Sequence, residues 1–171
     1  MLVNDLLILS SIESKELKMD FVSQDLAPII ASVVAMNKKV SEAARLTVVV
    51  DIPKDLPQIN VDRNQIEQVF INLLDNAMKY TPAGGAITIR ALRDGSFVRV
   101  DVTDTGMGIA PEHITRIFER FYRVDKSRNL ESGGTGLGLA IVKHIIQVHQ
   151  GKVEVKSTLH NGSTFGVFLP I

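Results

Sequence analysis

Polar and apolar positions alternate with two periods along this chain, and the switches between them outline its elements. Leu2, Leu6 and Leu9 recur at helical spacing with Val3 and Leu7 beside them. They predict an amphipathic helix over about 1–14. It begins without a capping signal, as expected of a helix continuing from a longer one. Leu17, Met19 and Phe21 alternate with polar residues, which suits a short strand. Asp25 is placed to cap a helix to about Ala44, with Pro28 tolerated in its first turn. LTVVVDI is a strand, ended by Pro53 and Pro57. Asp62 caps a second long helix, whose core stripe is Ile66, Val69, Phe70, Leu73, Leu74 and Ala77, and Thr81-Pro82 stops it.

The second half changes period. Gly84-Gly85 turns into AITIRAL, and Asp94-Gly95 makes a hairpin turn into FVRVDVTD. A short helix follows near Pro111, then the polar stretch KSRNLESGG. The string GGTGLGLAIVK opens a helix to about Val148. KVEVKST and STFGVFLPI form a last hairpin across His160-Asn161-Gly162. Helices and hairpins in this mixed order predict a two-layer α/β sandwich, with a mixed, mostly antiparallel sheet and helices on one face. A doubly wound sheet would need strict strand–helix alternation.

Composition narrows the classes further. At 171 residues, 45% hydrophobic and 22% charged, the chain reads as one globular domain. Lys+Arg and Asp+Glu both number 19, so bulk charge gives no support to a nucleic-acid or membrane-surface role. With no cysteine, disulfides, thiolate metal sites and cysteine nucleophiles are excluded. No apolar run approaches the roughly 20 residues of a transmembrane helix.

Four stretches carry candidate chemistry. On the second long helix, Asn72, Asn76 and Lys79 share a face beside the core stripe. Asparagine is a mediocre helix former, and such local breaches concentrate at functional sites. Amide oxygens are hard ligands suited to Mg²⁺, and a neighbouring lysine suits phosphate; a solvated polar face is the plain alternative. In DVTDTGMGI, Asp104 ends a strand before Gly106 and Gly108. A carboxylate there can accept a hydrogen bond from an exocyclic amine, though an ordinary turn fits equally well. In IFERFYRVDKSR, Phe118 and Phe121 are apolar anchors, and Arg120, Arg123, Lys126 and Arg128 form a positive cluster suited to phosphate. The glycine string is neither a P-loop nor a dinucleotide fingerprint. Leu139 and Ala140 replace the lysine and hydroxyl residue of the first, and Leu139 replaces the third glycine of the second.

NLLDNAMKYTP, DTGMGI, IFERFYRVD and GGTGLGLAIVK, in that order and at those intervals, resemble the N, G1, F and G2 boxes of the catalytic, ATP-binding domain of bacterial sensor histidine kinases. The resemblance covers essentially the whole chain. LVNDLLILSSIES is similar to the end of the dimerisation and phosphoacceptor domain that precedes it. This implies a division into residues 1–15, the remnant of that domain, and 16–171, the catalytic domain in the Bergerat fold. The resemblance implies that Asn76, with Asn72, binds Mg²⁺, and that Lys79 and Tyr80 contact phosphate and sugar. It gives Asp104 the adenine amine, and Gly106, Gly108 and Ile109 the walls of the adenine pocket. Arg123, with Arg128, approaches the phosphates, and Gly134, Gly136, Leu137 and Gly138 surround them with backbone N–H groups at a helix N-terminus. Asn76, Lys79 and Arg123 are the residues expected to support catalysis.

The same resemblance implies ATP and Mg²⁺ as ligands, and a phosphoacceptor domain and a response regulator as partners, with no nucleic acid. It implies a cytoplasmic domain that reaches a membrane only through upstream parts. The apolar stripe of residues 1–14 suits a weak homodimer, with an exposed or frayed helix as the alternative. None of the four histidines, His113, His144, His149 and His160, has the H-E-x-x-[RT]-P context of the family's phosphoacceptor. All four are expected at the surface or half-buried. The chain is therefore expected to bind ATP without phosphorylating itself, and KSRNLESGG to be poorly ordered without nucleotide. An ATP-binding regulatory module, or a serine kinase or ATPase on the same fold, is the alternative.

Overall fold

The computed structural model describes residues 19–124 and 135–171. The expected helix over 1–14, the segment KSRNLESGG, Arg128 and Gly134 lie outside the described residues. In chain order the elements are β1 (Val22–Gln24), α1 (Leu26–Ala43), β2 (Thr47–Asp51), β3 (Ile59–Val61), α2 (Arg63–Tyr80), β4 (Ala86–Asp94), β5 (Phe97–Asp104), α3 (Pro111–Ile114), α4 (Gly138–Val148), β6 (Lys152–Ser157) and β7 (Ser163–Pro170).

Five strands form one sheet in the order β2-β4-β5-β7-β6. β2 pairs parallel to β4, and every other pairing is antiparallel. The alternation read from the sequence sets which face is buried. Ile87, Ile89 and Ala91 of β4, Val98, Val100 and Val102 of β5, and Val167 and Leu169 of β7 are all sealed from solvent. Against this face lie the stripes of α1 (Leu26, Ile29, Ile30, Val33), α2 (Ile66, Val69, Phe70, Leu73, Leu74) and α4 (Ile141, Val142, Ile145, Ile146). The predicted two-layer sandwich is the observed fold.

Capping fixes where the long helices begin. Asp25 accepts the Ala27 N–H at 2.9 Å, and Asp62 accepts the Gln65 N–H at 3.1 Å. Each satisfies a backbone donor that the first helical turn leaves unpaired.

Three expectations change. The strand expected around Leu17–Phe21 begins outside the described residues; the strand observed is β1, which starts just after Phe21, and its partner β3 is absent from the sequence reading. The two make a separate antiparallel ribbon, with Val22 opposite Val61. Three-residue strands are too short to display a period, so only their pairing defines them. Phe118 does anchor, edge-on to Phe165 at 6.5 Å, but Phe121 is 60% exposed at φ 60°. Its backbone N–H donates to the Gly136 carbonyl at 2.9 Å, so its main chain, not its ring, is the fastening.

His149 is the third change: it is 3% exposed. Its Nε2 accepts the Asp62 N–H at 3.0 Å, and its Nδ1–H donates to the Ile145 carbonyl at 2.8 Å. Only a neutral ring can make both bonds. Burial, the largest influence, holds the ring below its ordinary value near 6.5, against the opposing pull of the Ile145 bond and the Asp62 charge. The unfolded chain therefore takes up this proton first as pH falls, so stability declines below about pH 6.5. The thermal midpoint should fall further between pH 7.5 and 5.5 in the native chain than in His149→Gln. Parallel profiles would contradict the assignment.

Candidate nucleotide site

Most of the residues singled out in the sequence converge where α2, the loop after β5 and the start of α4 meet. On α2, period 3.6 carries the apolar stripe into the core and leaves Asn72, Asn76 and Lys79 partly buried beside it. Gln68, one turn before Asn72, donates from Nε2 to the Asn72 Oδ1 at 3.3 Å. The Asn72 Nδ2 is buried without a partner among the described residues. A buried amide with a spare group is costly unless something else meets it. The two amides can also turn together, which presents the Asn72 oxygen instead.

At the C-terminal end of α2 lies a positive cluster. Burial lowers the Lys79 pKa, and the charge of Arg123 lowers it further. Burial raises the Tyr80 pKa, and Arg123 opposes the rise. The Lys79 ammonium lies 5.3 Å from the Tyr80 ring centroid. Two cations held close enough to influence each other favour an anion between them.

The loop after β5 is fastened to the same helix end. Met107 N–H donates to the Tyr80 carbonyl at 3.1 Å, and a side chain at Gly106 would run into that carbonyl. Asp104 is 7% exposed. It continues the inward row Val98, Val100, Val102, so alternation places a carboxylate on the apolar face. Its Oδ1 accepts the Gly106 N–H at 2.8 Å and the Ser163 N–H at 3.3 Å. Both bonds land on one oxygen, which leaves Oδ2 for a ligand. Burial raises its pKa, and these two bonds only partly offset the rise.

Gly108 and Ile109 fasten the same loop from its other side. Gly108 has φ +67° and lies against the Thr158 carbonyl, and Ile109 N–H donates to the Ser157 Oγ at 2.8 Å. Both anchor the loop to the β6–β7 turn. Ser157 and Ser163, whose hydroxyls lie 2.9 Å apart, therefore support Asp104 from behind. Sequence reading missed both serines, since neither lies in a box; their one signal is the tight turn between β6 and β7.

At α4, Gly136 has φ +72° and backs onto the main chain of Phe121. Leu137 differs from its expected role, because its side chain is fully buried in the core and its N–H donates to the Thr135 Oγ1 at 3.2 Å. Gly138 starts the helix, and a Cβ on it would come within 3.6 Å of the Asn72 amide. The space between α2 and the α4 N-terminus is thus kept clear of side chains on the α4 side. Among the described residues no group of three His, Cys, Asp or Glu could hold a metal. The donors a divalent cation would meet here are the asparagine amides and water, a set that fits Mg²⁺.

An α/β sandwich with a buried strand-end carboxylate, an asparagine-bearing helix and a glycine-opened helix defines a nucleotide-binding class of domain. Residues 61–171 match the family of histidine kinase-, DNA gyrase B- and HSP90-like ATPases, and the chain belongs to it. The non-motile and phage-resistance protein of Caulobacter vibrioides is 40% identical over 99% of the chain and 20% of its own length. The sensor-like histidine kinase SenX3 of Mycobacterium tuberculosis is 37% identical over 99% of the chain and 41% of its own. Full-length ShkA, solved in complex with AMPPNP, superposes with TM-score 0.86 at 30% identity, over 99% of this chain and 35% of that one. The chain thus spans about a fifth to two fifths of the length of these relatives. No helix among the described residues is long and apolar enough to cross a membrane.

Proposed function

We propose that this chain is the catalytic domain of a two-component sensor kinase, which binds Mg-ATP and hands its γ-phosphoryl group to a histidine on a phosphoacceptor domain. A response-regulator aspartate would then receive the group. The observation that carries the reading is Asp104, a buried carboxylate on a core-facing register with one oxygen left for a donor. Asp104 would accept the adenine amine. Lys79 and Arg123 would hold the phosphates, and the backbone N–H groups around Gly136 and Gly138 would complete the cradle, without Leu137, whose N–H is already engaged. Arg128 and Gly134 keep the roles the resemblance implies, phosphate contact from the loop and from the cradle.

Asn76 and Asn72 would hold Mg²⁺, which when bound neutralises charge on the phosphates. In the transfer, a histidine nitrogen forms a bond to the γ-phosphorus while the bond to the β,γ-bridging oxygen breaks. The electron pair leaves on ADP, and the histidine proton passes to a base on the acceptor domain. This chain's residues contribute positioning and charge stabilisation rather than a nucleophile. Its place would be the cytoplasm, as part of a longer sensor.

Incubation with γ-labelled ATP tests this. The chain alone should acquire no acid-labile phosphate, whereas a supplied phosphoacceptor domain should. Label on the chain itself would overturn the division of labour. Binding of ATP without transfer to any acceptor domain would favour the regulatory-module reading.

A further inference from the structure

α2 and α4 pack side by side through their apolar stripes, and two residue pairs mark the ends of that contact. At the site end, Gly138 faces Asn72, whose amide a Cβ on Gly138 would reach at 3.6 Å. At the far end, His149 meets Asp62. From Asp62 to Asn72 is about 15 Å of helix, and from Gly138 to His149 about 17 Å. Pairs so placed show that the helices run antiparallel, and the hydrogen bond at the far end adds a directional tie to their apolar packing, whose tilt sets the spacing between Asn72 and Gly138.

The far contact reaches beyond the two helices. The Asp62 carboxylate is divided: Oδ1 caps α2 through the Gln65 N–H, while Oδ2 accepts the Asp20 N–H at 3.0 Å. Phe21, next along, covers the His149 ring edge-on at a centroid distance of 5.0 Å. The chain leading into β1 therefore fastens to the same two residues that join α2 to α4. None of these residues was placed in the site described above.

We propose that His149 is a positioning residue, which through Asp62 links the placement of the chain at Asp20–Phe21 to the spacing of α2 and α4 and so to nucleotide affinity. The inference rests on the nucleotide reading for its consequence, but the linkage itself stands on these contacts. The imidazole is suited to the task because its two nitrogens face two elements in one plane. Nδ1 is held by α4 itself, and Nε2 grips the first residue of the α2 cap. A displacement of the incoming segment acts on Asp62, and the ring carries it into α4.

Three variants test this. His149→Leu removes the acceptor, and His149→Gln restores one near the Nε2 position. Asp20→Pro removes the N–H that Asp62 receives, and fixes φ locally, at an exposed residue outside both helices. Titration with Mg-ATP should show affinity about three- to tenfold weaker in His149→Leu and Asp20→Pro, and nearly native in His149→Gln. Amide exchange should quicken at residues 72–79 and 138–142 in the first two. Native affinity and native exchange in a folded Asp20→Pro chain would overturn the linkage. So would a His149→Gln chain as impaired as His149→Leu. If His149→Leu does not fold, the Asp20→Pro and His149→Gln chains still decide. If the native chain binds no ATP, the nucleotide reading fails, and the exchange comparison alone decides the linkage.

Discussion

ATP should bind at least about 100-fold more tightly than inosine triphosphate, and Asp104→Ala should erase most of that difference. Inosine carries a carbonyl where adenine carries an amine, so it turns an acceptor toward the free Oδ2 of a buried carboxylate. Gly106 and Ser163 already engage Oδ1, so the side chain cannot rotate away without abandoning two backbone donors. A site built to receive a hydrogen bond rejects a ligand that cannot give it, because its own buried group is left unpaired. Asp104→Asn should behave nearly as badly, since its amide offers a donor to a donor. The raised Asp104 pKa adds a direction. Adenine recognition needs the ionised form, so affinity falls as pH drops toward that pKa, from higher up the scale than for an ordinary carboxylate near 3.8. Competition of the two nucleotides against a fluorescent analogue measures the ratio. Equal affinity would remove Asp104 from base recognition.

Asn76→Ala should weaken Mg-ATP binding by about 10- to 100-fold or more and abolish its dependence on magnesium. The asparagine lies outside the buried stripe of α2, and alanine is the better helix former, so the thermal midpoint should hold or rise. That separation of affinity from stability marks a residue kept for a ligand rather than for the fold. Calorimetric titration with and without Mg²⁺ decides it. A variant that retains magnesium-dependent binding would shift the metal to Asn72 alone, through its Oδ1, which keeps a lone pair beyond the one Gln68 fills.

The large elements were legible because each buries one face and so repeats with its own period. Asp25 and Asp62 marked two helix starts to the residue, and the β5 sequence FVRVDVTD showed both its strand and its alternation. β1 and β3 were not legible, since three residues cannot show a period and only their mutual hydrogen bonds make them strands. Phe121 misled because an aromatic near an apolar neighbour reads as an anchor. Its positive φ and its main-chain bond to Gly136 are long-range facts. His149 misled for the opposite reason: a histidine at a helix end reads as surface, and its partner Asp62 is 87 residues away.

By itself, the sequence determined the order of the helices and the longer strands, their apolar faces, the caps of the two long helices and the four boxes with their resemblance. These follow from local periods and from short-range backbone chemistry. The tertiary structure decided which atoms of those boxes remain available. It placed both backbone donors on one oxygen of Asp104, committed the Leu137 N–H to Thr135, and left one Asn72 nitrogen without a partner among the described residues. It also joined Asp20, Asp62 and His149 into one contact. Such facts are settled by which distant segments pack against each other, because a hydrogen-bonding group is spent or spare only once every neighbour is in place.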